Sequence, residues 1–155
     1  MDKIRRLLDG MIATMNHVNP PRITALRELR EAENGSPLSI LIGTILSART
    51  RDESTSAVVR ELFSKYKTAG SLARAKLSDV EKIIKRTGFY HVKAKRIIQV
   101  ASIINSKYSG RVPKTMEELL SLPGVGRKTA NCVLVYAFDK PAIPVDTHVH
   151  RISNR

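Results

Sequence analysis

A chain of 155 residues, 42% of them hydrophobic, suits one domain with a core of its own, and that apolar share excludes a disordered polypeptide. Its 27 Lys+Arg against 14 Asp+Glu give a net charge of +13 and a pI near 10.3, the footprint of a polyanion partner, although a merely basic protein has the same composition. No stretch approaches the ~20 apolar residues of a membrane span, and the N-terminus has no apolar core with a small-residue cleavage site, so an intracellular protein is expected.

Met1 to Asn16 reads as an amphipathic helix, because Ile4, Leu7, Leu8, Met11, Ile12 and Met15 recur at helical spacing. Such a stripe needs a surface to cover it. Asn19-Pro20-Pro21 ends this helix, and Arg22 to Glu33 is a charged segment, loop with some helix, closed by Asn34-Gly35. Ser36-Pro37 is a cap followed by proline at the first helical position. Leu38, Ile40, Leu41, Ile42, Ile45 and Leu46 then fall on nearly all faces, as in a buried central helix.

Three capping boxes mark later helix starts: Thr50-x-x-Glu53 before Asp52 to Tyr66, Ser78-x-x-Glu81 before Asp79 to Arg86, and Thr115-x-x-Glu118 before Met116 to Ser121. Gly88 and Gly110 read as left-handed helix ends. Between them His91 to Tyr108 is helical, with Ala94, Ile97, Ile98, Ala101, Ile104 and Tyr108 as its buried stripe and Lys93, Lys95 and Lys107 on a solvated face. Strand-like alternation is nearly absent, and the fold class is all-α, with roughly eight helices.

The densest signal comes last. Leu122-Pro123-Gly124-Val125-Gly126-Arg127-Lys128-Thr129-Ala130 places a Pro-Gly-x-Gly turn between the Met116 helix and a second helix from Arg127 to Ala137, a helix-hairpin-helix. Glycines 124 and 126 let a ligand approach the backbone closely. The second helix begins at once, so its unpaired amides and positive dipole end suit a phosphate. Gly124, Val125 and Gly126 are the candidate phosphate-holding backbone, with Arg127 and Thr129 adding side-chain contacts; a tight turn without a ligand is the plainer alternative.

Lys128 lies in the first turn of that second helix, and a lysine amine in its neutral form is a nucleophile; the plainer alternative is a phosphate contact. Asp146, in Val145-Asp146-Thr147-His148-Val149, precedes a helix starting at Thr147. Its carboxylate comes near the hairpin helix if the loop from Pro141 folds back, and it also suits the N-cap of its own helix. Cys132, the one cysteine, cannot form an internal disulfide or hold a metal by itself, and reads as a small buried residue. His148 and His150 differ by two on a helix and so point apart, which argues against a metal pair.

The LPGVGRKTA hairpin together with VDTHV resembles the helix-hairpin-helix DNA glycosylase superfamily and, in its lysine form, endonuclease III, over about residue 30 to the last residue. The resemblance implies a six-helix barrel domain at 22–140 with the hairpin at 116–137. It makes 1–21 a helix belonging to the family's second domain, and 141–155 the catalytic-aspartate loop and the start of the next helix. Family members continue past that helix and mostly bind a [4Fe–4S] cluster there through four cysteines, which this sequence lacks. The expectation is therefore a second, iron–sulfur domain largely missing, no cofactor in this chain, and an exposed N-terminal helix that dimerisation would cover.

The resemblance further implies base excision repair of double-stranded DNA containing damaged bases or abasic sites, in the cytoplasm at the nucleoid. A damaged pyrimidine leaves the stack, Lys128 attacks C1′, the base departs, and a Schiff base leads to β-elimination, with Asp146 stabilising cationic character at C1′ and helping to deprotonate the lysine. Arg49 and Phe89 match the family's gap-filling positions, where glutamine and leucine are common, and either side chain can reach into a duplex; for Phe89 and Tyr90 ordinary packing is the plainer alternative. Two other functions stay open: a monofunctional mismatch glycosylase, which usually lacks the hairpin lysine, and an inactive DNA-binding fragment.

Overall fold

A computed structural model describes residues 2–16, 25–31, 36–48, 50 and 52–155, with the side chains of residues 15, 16, 25 and 52–54 outside the description. Among the described residues there are helices and no strands. They run α1 (Asp2–Asn16), α2 (Ala25–Glu31), α3 (Pro37–Ser47), α4 (Asp52–Lys65), α5 (Ala69–Ala73), α6 (Leu77–Ile84), α7 (Tyr90–Lys107), α8 (Met116–Leu120), α9 (Arg127–Phe138) and α10 (Thr147–Ser153). None is long and apolar enough to cross a membrane.

The centre is α3. Ser36 caps it by accepting from the Ser39 amide, Pro37 occupies its first turn, and every residue from Leu38 to Leu46 is buried. Each large apolar side chain removed from water there contributes roughly 1.5–3 kcal/mol, so this helix anchors the domain. It packs against α2, α4, α7 and α9, while α7 also carries α5 and α6, and α8 leans on α9. Gly43 lets α2 approach closely: a Cβ at that position would meet Leu29 Cδ1 at 2.7 Å.

α1 and α10 stand outside these packed pairs. The predicted stripe of α1 is present but uncovered, since Ile4, Leu7, Leu8, Met11 and Ile12 are all exposed.

Several local expectations are corrected. The short helix α5 was not anticipated; Thr68 and Ser71 form its capping box. α6 begins at Leu77 with Lys76 at the cap and no side-chain capping bond, so Ser78 lies inside the helix and its predicted box does not form. Carbonyl Lys76 O takes the amides of Asp79 and Val80 instead. α4 starts at Asp52, and since residue 51 and the Glu53 side chain lie outside the described residues, so does the Thr50 capping box. At the end of α6 the left-handed residue is Phe89, at φ 57°, rather than Gly88; after α7 the left-handed backbone begins at Ser109, at φ 50°, and continues through the expected Gly110, at φ 78°. Its amide donates to Ile104 O at 3.0 Å.

Lys93 overturns the solvated-face expectation for α7. Only 5% of it is exposed, while Lys95 and Lys107 are exposed as expected.

Candidate active site

The hairpin is fixed from below by apolar side chains. Leu122 and Val125 are buried on either side of the turn, and the Val125 amide donates to Leu122 O at 3.1 Å. Gly124 takes φ 76° between them. Gly126 then caps α9 with no side chain to bond the first-turn amides, so these groups face outward where an anion can take them. Arg127 and Lys128 are exposed and Thr129 is half-buried on that first turn.

The aliphatic stem of Arg96, from α7, crosses the hairpin at Gly124. A Cβ built on Gly124 would lie 2.1 Å from Arg96 Cδ and 2.4 Å from its Nε. The hairpin glycine thus accommodates an arginine as well as a tight turn, which its local sequence could not reveal.

The loop after α9 does fold back. Asp139, at φ 51°, ends the helix, and the Lys140 amide donates to Leu134 O at 2.9 Å. Further along, Asn131 Nδ2 donates to Ile143 O at 3.1 Å, holding the loop against α9. Asn131 was missed in the sequence because its partner is a backbone carbonyl in an irregular loop.

Asp146 follows directly and serves two neighbours. Its Oδ1 accepts from the amides of His148 at 3.0 Å and Val149 at 2.9 Å, capping α10. Its Oδ2 lies 3.5 Å from Lys128 Nζ. The Val149 amide bond, with the Lys128 charge and the His148 amide adding to it against partial desolvation, holds this carboxyl below its ordinary range. Lys128 and Asp146, eighteen positions apart in the sequence, therefore meet in an open, half-exposed site.

Cys132 is buried one turn further along α9. Burial, which outweighs the opposing influence of Lys128, pushes its thiol up. A [4Fe–4S] cluster needs four ligands, typically thiolates, and this chain's single buried thiol does not fit one.

Phe89 sits elsewhere, on the turn between α6 and α7, with 63% of its surface exposed. Arg49 lies outside the described residues. Its neighbour Thr50 is described, and the Thr50 hydroxyl accepts from Gly88 N at 3.3 Å and from Lys93 Nζ at 2.8 Å.

Residues 42–155 match the model of the HhH-GPD superfamily base excision DNA repair proteins. An endonuclease III of Escherichia coli K12 is 37% identical over all of this chain and 70% of its own length. The chain belongs to the endonuclease III family.

An endonuclease III of Thermotoga maritima is 54% identical over 81% of this chain and 59% of the relative. Against several curated endonuclease III relatives the chain spans between about half and two thirds of their length. Among solved structures, a thermostable thymine-DNA glycosylase superposes with a TM-score of 0.85 at 30% identity, covering 99% of this chain and 68% of that one. A non-covalent endonuclease III–DNA complex superposes with a TM-score of 0.81 at 37% identity, covering 98% and 66%. The all-helical fold expected of an endonuclease III thus agrees with its relatives.

Proposed function

We propose that this chain is a base excision repair enzyme, a bifunctional DNA N-glycosylase that removes oxidised pyrimidines of the thymine glycol type and cleaves the resulting abasic site. The observation that carries this reading is the approach of Lys128 Nζ to Asp146 Oδ2 at 3.5 Å beside an outward-facing helix N-terminus. Family membership and the likeness to a DNA-bound endonuclease III support duplex DNA as the partner.

The hairpin backbone from Gly124 to Gly126 receives a phosphate and sets the register of the strand. With the damaged nucleotide out of the stack, the Lys128 amine, once it has given up a proton, attacks C1′ and the base leaves with the electrons of the glycosidic bond. Loss of a proton from nitrogen and opening of the sugar ring give a Schiff base. Protonated, this imine acidifies the C2′ proton, whose removal expels the 3′ phosphate by β-elimination.

Asp146 is suited to stabilising positive charge as the base departs. Its Oδ2, 3.5 Å from Lys128 Nζ, also stands where it can take the proton the ammonium must lose before attack.

A second reading, a monofunctional mismatch glycosylase, is favoured by the likeness to the thymine-DNA glycosylase. Borohydride trapping on duplexes containing thymine glycol or an abasic site separates the two. A covalent adduct on both, lost in Lys128→Gln while duplex binding persists, is the expected result. Retained trapping in the variant defeats the lysine assignment. Base release without any adduct favours the monofunctional enzyme, and neither activity from a folded chain leaves a DNA-binding fragment.

A further inference from the structure

Lys93 is the one lysine among the described residues that is buried, and nothing in the chemistry at Lys128 uses it. Its ammonium donates to Leu46 O at 2.8 Å and to Thr50 Oγ1 at 2.8 Å. The first acceptor is a carbonyl of the last turn of α3, which has no partner within the helix and lies at the negative end of its dipole. The second stands beyond the bend that follows, where the Thr50 amide donates to Ser47 O at 3.0 Å.

The same Thr50 hydroxyl oxygen accepts from Gly88 N at 3.3 Å. Gly88 is followed by Phe89, whose own carbonyl accepts from the Lys93 amide at 3.1 Å. The backbone bond is the ordinary first-turn bond of α7; what Lys93 adds to the Phe89 turn is its side chain, which reaches Gly88 through the shared Thr50 hydroxyl. The turn needs gripping. Phe89 has a left-handed backbone at φ 57°, costly for a bulky residue, and 63% of it is exposed.

We infer that Lys93, acting through Thr50, is a positioning residue that presents Phe89 to the duplex as a rigid wedge and ties that wedge to the end of the central helix. This rests on the reading of Phe89 as a gap-filling side chain, which the experiment tests separately. An exposed ring can hold a base step open only if its backbone resists being pushed back, and the Lys93–Thr50–Gly88 chain of bonds transmits that resistance to α3.

The experiment is a double-mutant cycle read by fluorescence. A duplex carrying a tetrahydrofuran abasic-site analogue beside 2-aminopurine brightens when the neighbouring base is unstacked. Phe89→Ala is expected to lose most of the brightening. Thr50→Val, which removes the shared acceptor and leaves Lys93 its carbonyl, is expected to lower the brightening about threefold with duplex affinity changed less than about twofold, and Thr50→Ser to restore it. In the Phe89→Ala background, Thr50→Val should then change nothing further, because coupled residues are not additive.

If Phe89→Ala lowers the signal but Thr50→Val leaves it unchanged, or adds its full loss on top, the positioning role is overturned and the wedge stands. If Phe89→Ala leaves the signal intact, the wedge reading falls and takes the positioning role with it. Lys93→Met provides a second route to the same loss, with circular dichroism confirming that each variant is folded.

Discussion

Asp146 and Lys128 face one another across 3.5 Å while the other oxygen of Asp146 caps α10, so one carboxylate both holds a helix and polarises a site. The two roles separate by substitution. Asparagine is as good an N-cap as aspartate but carries no charge. Asp146→Asn should therefore keep its helicity and thermal midpoint while base release slows at least about tenfold, on the scale of losing one preorganised electrostatic partner. Asp146→Ala should lose both. Single-turnover base release beside circular dichroism measures the split, and equal rates for wild type and Asp146→Asn would reduce the residue to a cap.

Gly124→Ala meets two obstacles. The left-handed backbone costs a Cβ about 1–2 kcal/mol, and Arg96 already occupies the space the methyl would enter. Lower stability in urea and weaker duplex binding are expected together. Adding Arg96→Ala should recover part of the stability and none of the backbone strain.

Lys93 gives the chain an alkaline signature. Burial lowers its pKa from 10.5 to about 8. Below pH 8 the amine is charged in both states and its burial weakens the fold in full. Between about 8 and 10.5 the folded protein has released a proton that the unfolded chain still binds, so this residue makes stability climb with pH. Urea midpoints across that window should rise for wild type relative to Lys93→Met; a constant difference would mean that the amine titrates normally.

With a net charge of +13, duplex affinity should fall steeply with salt. Log K against log salt is expected to have a slope of about −0.9 per phosphate neutralised. A flat response in a filter-binding or anisotropy titration would remove the electrostatic basis for DNA as the partner.

Much of the fold was written locally. The Ser36-Pro37 cap and the apolar run behind it define α3, and the Thr115 cap with the Pro-Gly-x-Gly turn defines the hairpin, because each depends on neighbours within one turn of chain. Asp146 could be read as both a cap and a partner of Lys128, and the geometry brings it to each.

What escaped depended on distant segments. Lys93 reads as one lysine on a basic helix until Leu46 and Thr50 arrive from another part of the chain to accept from it. Ser78-x-x-Glu81 has the pattern of a capping box, yet the helix starts earlier and leaves it unused. At residues 88 and 89 glycine was the natural choice for a left-handed backbone, and tertiary bonding placed it on phenylalanine instead.

The strap between α9 and α10 has a mechanical consequence. Two of its fastenings, Leu134 O and Asn131 Nδ2, belong to the helix that also bears Lys128. Lys128 and the loop that leads to Asp146 are thus fastened to one helix, and the 3.5 Å separation between the two side chains is set by α9 and its tether rather than by the packing of distant helices.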